Sequence, residues 1–113
     1  MMATKIMQVL KHSLLNAIGT DRVSLHSAEP DENGSNEISS TSYSRQIASF
    51  STANGGEIAL QSDCEFSLSA GDSVQWVGYW NDGTFLMAQT VEQADFSAAG
   101  KYTLKAITTV IAI

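Results

Sequence analysis

Cysteine and proline each occur once in the 113 residues. A lone Cys64 forms no disulfide within its chain and builds no multi-cysteine zinc site. It fits folding under reducing conditions. Charge is also scarce: 16% of residues are charged, against about 25% in an ordinary globular domain. Positive charge is scarcest, with six Lys and Arg against twelve Asp and Glu and a formal net charge of −6. Lys5, Lys11, Arg22, Arg45, Lys101 and Lys105 are scattered along the chain. No basic cluster is therefore available for nucleic acid or an anionic membrane surface. No apolar run reaches the roughly 18 residues of a membrane-spanning helix. The opening MMATKIMQVLKHSLLNAIG is interrupted by Lys5, Lys11, His12 and Asn16, unlike the continuous apolar stretch of a signal peptide.

What is present fits one domain over residues 1–113. Hydrophobic residues make up 43%, and 15 Ser with 9 Thr cover surface that charge usually covers. The period of the apolar pattern predicts one amphipathic helix over 4–18. Ile6, Leu10, Leu14 and Ile18 form its stripe, Thr4 its N-cap and Gly19 its C′ stop. After Gly19 the period falls to two, and strands fill 21–113. Val23 and Leu25 share one face of a first strand. Tyr43, Arg45 and Ile47 share one face of a second. Cys64, Phe66 and Leu68 share one face of another. The richest strand, Val74–Trp80, turns through Asn81-Asp82-Gly83 into Thr84–Ala88. Gly78, between Val77 and Tyr79, leaves room for a neighbour to cross close to the backbone. A last strand runs from Lys101 to Ile113 with apolar groups on both faces. It reads either as a central strand or as a tail docking into another subunit. The predicted fold is mainly β: a jelly-roll-like antiparallel β-sandwich preceded by one N-terminal amphipathic α-helix.

The search for chemistry returns no catalytic, cofactor or metal residues. Asp31, Asn33, Ser35 and Glu37 alternate like calcium ligands, but Asn36 stands where an EF-hand needs glycine. His12 and His26 lack a nucleophile motif beside them. Cys64 reads as a small core residue. Asp63 and Glu65 share a strand's outer face without a companion. Gly55-Gly56 has no following Lys-Ser or Lys-Thr to make a phosphate loop. Trp76, Tyr79, Trp80 and Phe85 fit core and interface better than a sugar platform. A small acidic β domain without a catalytic set reads as a binding or assembly module rather than an enzyme.

The order of features resembles a family of small tailed-bacteriophage virion proteins. The resemblance is carried by VSLHSAEPDENGSNEISSTSYSRQIASF at 23–50, GGEIALQSDCEFSLSAG at 55–71 and VQWVGYWNDGTFLMAQTV at 74–91. It is best at Leu25, His26, Pro30, Glu37, Ser42, Tyr43, Arg45, Gln46, Gly78 and Gly83-Thr84-Phe85-Leu86. Ser40-Thr41, where the family often has Gly-Gly, and the shorter turn at Asn81-Asp82 depart from it. The resemblance implies a non-enzymatic structural protein of the virion, made in the bacterial host cytoplasm and needing no cofactor.

The leading expectation is a capsid decoration or cement protein that binds the major capsid protein and other copies of itself. The alternatives are a tail-fibre-associated or tail adaptor subunit and a carbohydrate-binding jelly roll. The expected interface residues are Ile6, Leu10, Leu14, Ile18, Trp76, Tyr79, Trp80, Ile111 and Ile113. The helix stripe is expected to pack on the sandwich or on a partner. The three aromatics are expected to divide between core and interface.

Overall fold

The structure, a computed structural model, describes residues 5–112. The expected N-cap Thr4 and interface residue Ile113 lie outside them. The chain begins with α1 (Gln8–Ala17), which is shorter than the expected 4–18. Met7, in extended backbone, takes the N-cap position without a side-chain cap. Gly19, at φ +65°, stops the helix as expected.

The strands are β1 (Arg22–His26), β2 (Gln46–Ile47), β3 (Glu57–Ala59), β4 (Cys64–Leu68), β5 (Ser73–Asn81), β6 (Thr84–Asp95), β7 (Gly100–Leu104) and β8 (Val110–Ala112). All pair antiparallel. One layer is a four-stranded sheet in the order β2-β1-β5-β6. The facing side is divided into two ribbons, β3-β8 and β4-β7. The fold is thus an antiparallel sandwich with one helix in front, and one of its layers is split.

Alternation decides what is buried. Val23 lies opposite Tyr79, and Leu25 opposite Val77, so all four point to one face. They meet Cys64, Phe66 and Leu68 of β4, Leu104 of β7, Ile58 of β3 and Ile111 of β8 in one core. Phe50 stands edge-on to Tyr79 at 5.8 Å, and Tyr43 stacks on Phe66 at 6.2 Å. The β5–β6 turn has Asp82 at φ +45° and Gly83 at φ +82°. Two consecutive positive φ angles make the tight turn whose twist matches a hairpin.

One expectation loses one of its two arms, and three are corrected. The helix stripe does not lie on the body: Ile6, Leu10 and Leu14 are 40%, 50% and 48% exposed, whereas Leu15 is 1% exposed. A spacing of four residues overshoots the 3.6-residue turn, so a line from position 6 to 18 drifts about 120° around the helix. Only Ile18 of that line reaches the core, packing against it while partly buried. The second strand keeps just Gln46–Ile47. Tyr43 and Arg45 sit before it, and Ile47 is 73% exposed. The strand after the turn runs on to Asp95, seven residues beyond Ala88. The last expected strand is broken by a 3₁₀ turn at Ala106–Thr108. There the Asp63 carboxylate accepts from the Ala106 N–H at 2.8 Å, and the Thr109 hydroxyl donates to the Lys105 carbonyl at 2.7 Å.

Candidate functional site

The outer face of β1 and β5 carries the residues that alternation turns away from the core. On β1 these are Ser24 and His26, which lie opposite Gly78 and Trp76 of β5. A Cβ on Gly78 would stand 2.6 Å from Ser24 Oγ and 2.7 Å from both His26 Nε2 and Phe85 Cε1. The space that glycine leaves is what lets histidine and phenylalanine close over the strand, as Gly78 foretold in the sequence.

The hydrogen bonds here run in one direction. His26 Nδ1 faces the Ser35 carbonyl at 2.7 Å, and a carbonyl can only accept. Nδ1 therefore carries the proton, and Nε2 accepts from the Ser24 hydroxyl at 2.6 Å. Ser24 Oγ in turn accepts from the Trp80 indole N–H at 2.7 Å. Burial lowers the pKa of His26, while the Ser35 carbonyl pulls the other way. The neutral ring matches the wiring.

The loop over 27–37 folds back across this face. Its Asp31 carboxylate accepts from the N–H groups of Asn33 and Ser35 at 2.9 and 3.3 Å, a local turn device. Those bonds hold Asp31 below the usual carboxylate range. Gly34, at φ +76°, presses against the Trp80 ring, where a Cβ would come within 2.6 Å. At the loop's end Glu37 accepts from Arg45 Nε and Nη2, both at 2.9 Å, and from the Tyr43 hydroxyl at 2.7 Å. Tyr43 Oη also accepts from the Leu25 N–H at 3.0 Å. The Arg45 guanidinium lies 3.6 Å over the Trp80 ring. Although desolvation opposes it, the Arg45 and Tyr43 hydrogen bonds leave Glu37 below its ordinary pKa. Burial and the Glu37 carboxylate drive Tyr43 far upward.

This network resembles a nucleophile and base only in the Ser24–His26 distance. Both residues are 0% exposed, and the third partner is a backbone carbonyl. The arrangement fastens the loop and β2 to the sheet. It also gathers His26, Glu37, Tyr43, Arg45 and Gly78, residues that the sequence connects only through a motif. Glu37, a candidate calcium ligand in the sequence, has its carboxylate taken up by Arg45 and Tyr43. Among the described residues no three His, Cys, Asp or Glu side chains are placed to share a metal ion.

Beside the closed network lies an open cleft of about 600 Å³. Trp76, Phe85, Leu86 and Ala88 form its apolar lining, with Pro30; Glu29, Asp31 and Glu32 line it from the loop. Of the aromatics named from sequence, Tyr79 is 0% and Trp80 6% exposed. Trp76 is half-buried and the only one of the three that reaches this cleft. A larger, more polar cleft of about 730 Å³ separates β5 and β6 from β7 and contains Gln89, Tyr102 and Lys105.

The other named residues divide clearly. Ile111, expected to reach a neighbour, is 1% exposed and pairs with Ile58 in this chain's own core. Ile6, Leu10 and Leu14 face away from the body. The helix is held instead by its opposite side, where Leu15 enters the core. There His12 Nε2 accepts from the Gly56 N–H at 3.2 Å, and Asn16 Oδ1 accepts from the Ala53 N–H at 2.8 Å. In the sequence Leu15 stands beside the stripe rather than at its centre, although Leu15 and Ile18, three residues apart, mark one face.

The family model described as Podophage GP4 fiber I protein gp80 matches residues 2–108. No curated protein and no solved structure matches the chain.

Proposed function

We propose that this chain, which belongs to the Podophage GP4 fiber I protein gp80 family, is a structural subunit of a phage tail fibre. The family is one of phage virion structural proteins of tail-fibre type, and its match to residues 2–108 is the observation that carries the reading. The capsid-decoration role expected first from sequence has no such support, and the tail-fibre alternative fits better. A shell subunit binding the major capsid protein therefore gives way to a subunit that joins other tail components.

The burial of the reactive side chains supports reading the chain as a mechanical part. The Ser24–His26 pair is sealed beneath the 27–37 loop, and the thiol of Cys64 is buried at 3% exposure. Burial, with Asp63 nearby, pushes that thiol up and away from thiolate chemistry. The carbohydrate-binding alternative loses two of its aromatics to the interior, since Tyr79 and Trp80 are covered.

Quantitative mass spectrometry of purified virions, with immunogold labelling, tests the assignment. Copies matching a small multiple of the tail's symmetry, with label at the tail, are expected. Copies in fixed ratio to the major capsid protein, with label over the head, would restore the decoration role.

A further inference from the structure

Two surfaces of this protein are unsatisfied, and they are opposite in kind. The first is the outward face of α1 and the residues leading into it. Met7, Val9, Leu10 and Leu14 are 54%, 76%, 50% and 48% exposed. Lys5 is exposed beside them, Lys11 is half-buried at the border between this face and the side that packs on the body, and no acidic residue precedes Asp21. Neither lysine makes an ion pair among the described residues.

The second surface is the Trp76 cleft. It offers an aromatic and aliphatic floor under Glu29 and Glu32. The side chains of both glutamates are exposed and carry no hydrogen bond or ion pair among the described residues, whereas Asp31 is engaged within its own loop. A monomer exposing an apolar helix face and an apolar cleft leaves both in water.

We infer that the α1 face of one copy docks into the Trp76 cleft of a second copy of this chain. Val9 and Leu10 would meet Trp76, Phe85 and Leu86, and the lysines would meet Glu29 and Glu32. The occupant is chosen by charge complementarity. The chain's twelve acids face four cations once the helix segment is set aside, so the helix segment is positive in an otherwise acidic chain, and the cleft carries Glu29, Asp31 and Glu32. Helix-to-helix pairing would instead bring lysines together. Docking of unlike surfaces is head-to-tail, and it closes into a ring or continues as a filament. The inference stands whether or not the chain is a fibre component, because it concerns only how copies meet.

Sedimentation velocity of the full chain over a concentration series tests it. The wild-type chain is expected to associate, and less so at high salt. Lys5→Glu with Lys11→Glu, and separately Glu29→Lys with Glu32→Lys, should each weaken association at least tenfold. These side chains are solvent-facing or half-buried, and circular dichroism confirms that each variant stays folded. Mixing the two variants should restore assembly, because each then offers a reversed surface to match the other. The proposal is overturned if the wild-type chain stays monomeric to about 100 µM, in the weak-interface range. It also fails if the mixture does not recover. Loss of assembly on Leu10→Ser but not on Glu29→Lys with Glu32→Lys would show helix pairing with helix, and would overturn it too.

Discussion

The outer face of β1 and β5 and the outer face of α1 are both turned away from the core, yet they are finished in different ways. On the sheet, a loop of eleven residues closes over the strand. Every polar group named there has a partner: Trp80 to Ser24, Ser24 to His26, His26 to Ser35, and Arg45 and Tyr43 to Glu37. On the helix nothing among the described residues closes over Leu10 and Leu14. One surface is completed within the chain, and the other is left for contact outside it. Folding stability should therefore concentrate at the first, and assembly at the second.

Substitution at Gly78 is the strongest way to break the sheet side of that comparison. A valine there would drive Ser24, His26 and Phe85 outward together. Overpacking of this kind costs about 3 kcal/mol, which lowers the melting temperature of a domain this size by about 12 °C or more. Thermal unfolding followed by circular dichroism measures it. Removing the charge partner is milder. Glu37→Ala leaves the Tyr43 hydroxyl and the Arg45 guanidinium without their acceptor, at a cost of about 2 kcal/mol. The partial exposure of Arg45 keeps the loss from growing larger.

Acid probes the sheet side of the same comparison through His26 and Glu37. Burial lowers the His26 pKa from its ordinary 6.5, so the folded state holds the ring neutral. The unfolded chain binds a proton first. Stability is therefore complete above 6.5 and falls as pH drops from there toward the folded value. The slope is at most about 1.4 kcal/mol per pH unit for one proton. Glu37, lowered from 4.5, adds a further loss at more acidic pH as its carboxylate is protonated in the unfolded chain before the folded one. Urea midpoints measured from pH 8 to pH 3 should show both. His26→Asn should flatten the upper part of the profile. A profile unchanged by that substitution would remove His26 from the explanation.

The difference between the regions also explains what could be read in the sequence. Strict alternation marked β1 and β4 and the burial of Val23, Leu25, Cys64, Phe66 and Leu68. Asp82-Gly83 marked the hairpin because its backbone demands are local. The network on the outer face had no such signature. Glu37 meets Tyr43 and Arg45 across six and eight residues of loop, without any period, and only the motif of the resembling family hinted that they belong together. The far half of β6 was invisible because Gln89 to Gln93 carries little apolar contrast. Pairing of its backbone to Ser73–Val77 holds it in the sheet. On the helix the apolar residues were plain, but a spacing of four traced a spiral rather than a face.

That spiral leads to the smallest expected effect. Leu10 is large and apolar and belongs to the most regular apolar pattern in the chain, so composition alone would place it in the core. Half of it is exposed, and the contacts that hold α1 come from His12, Leu15 and Asn16 on the other side. Leu10→Ala should therefore change the stability of the isolated chain by no more than about 0.5 kcal/mol, as for a surface site. Leucine and alanine are also both good helix formers, which leaves little propensity difference to register. Urea denaturation at a concentration low enough to keep the chain monomeric is the right measurement, because any assembly would add its own stabilisation by mass action. A loss of about 2 kcal/mol or more, the range for a buried leucine, would mean that α1 lies on the body by its Leu10 face. The unfinished surface would then be the side carrying Leu15.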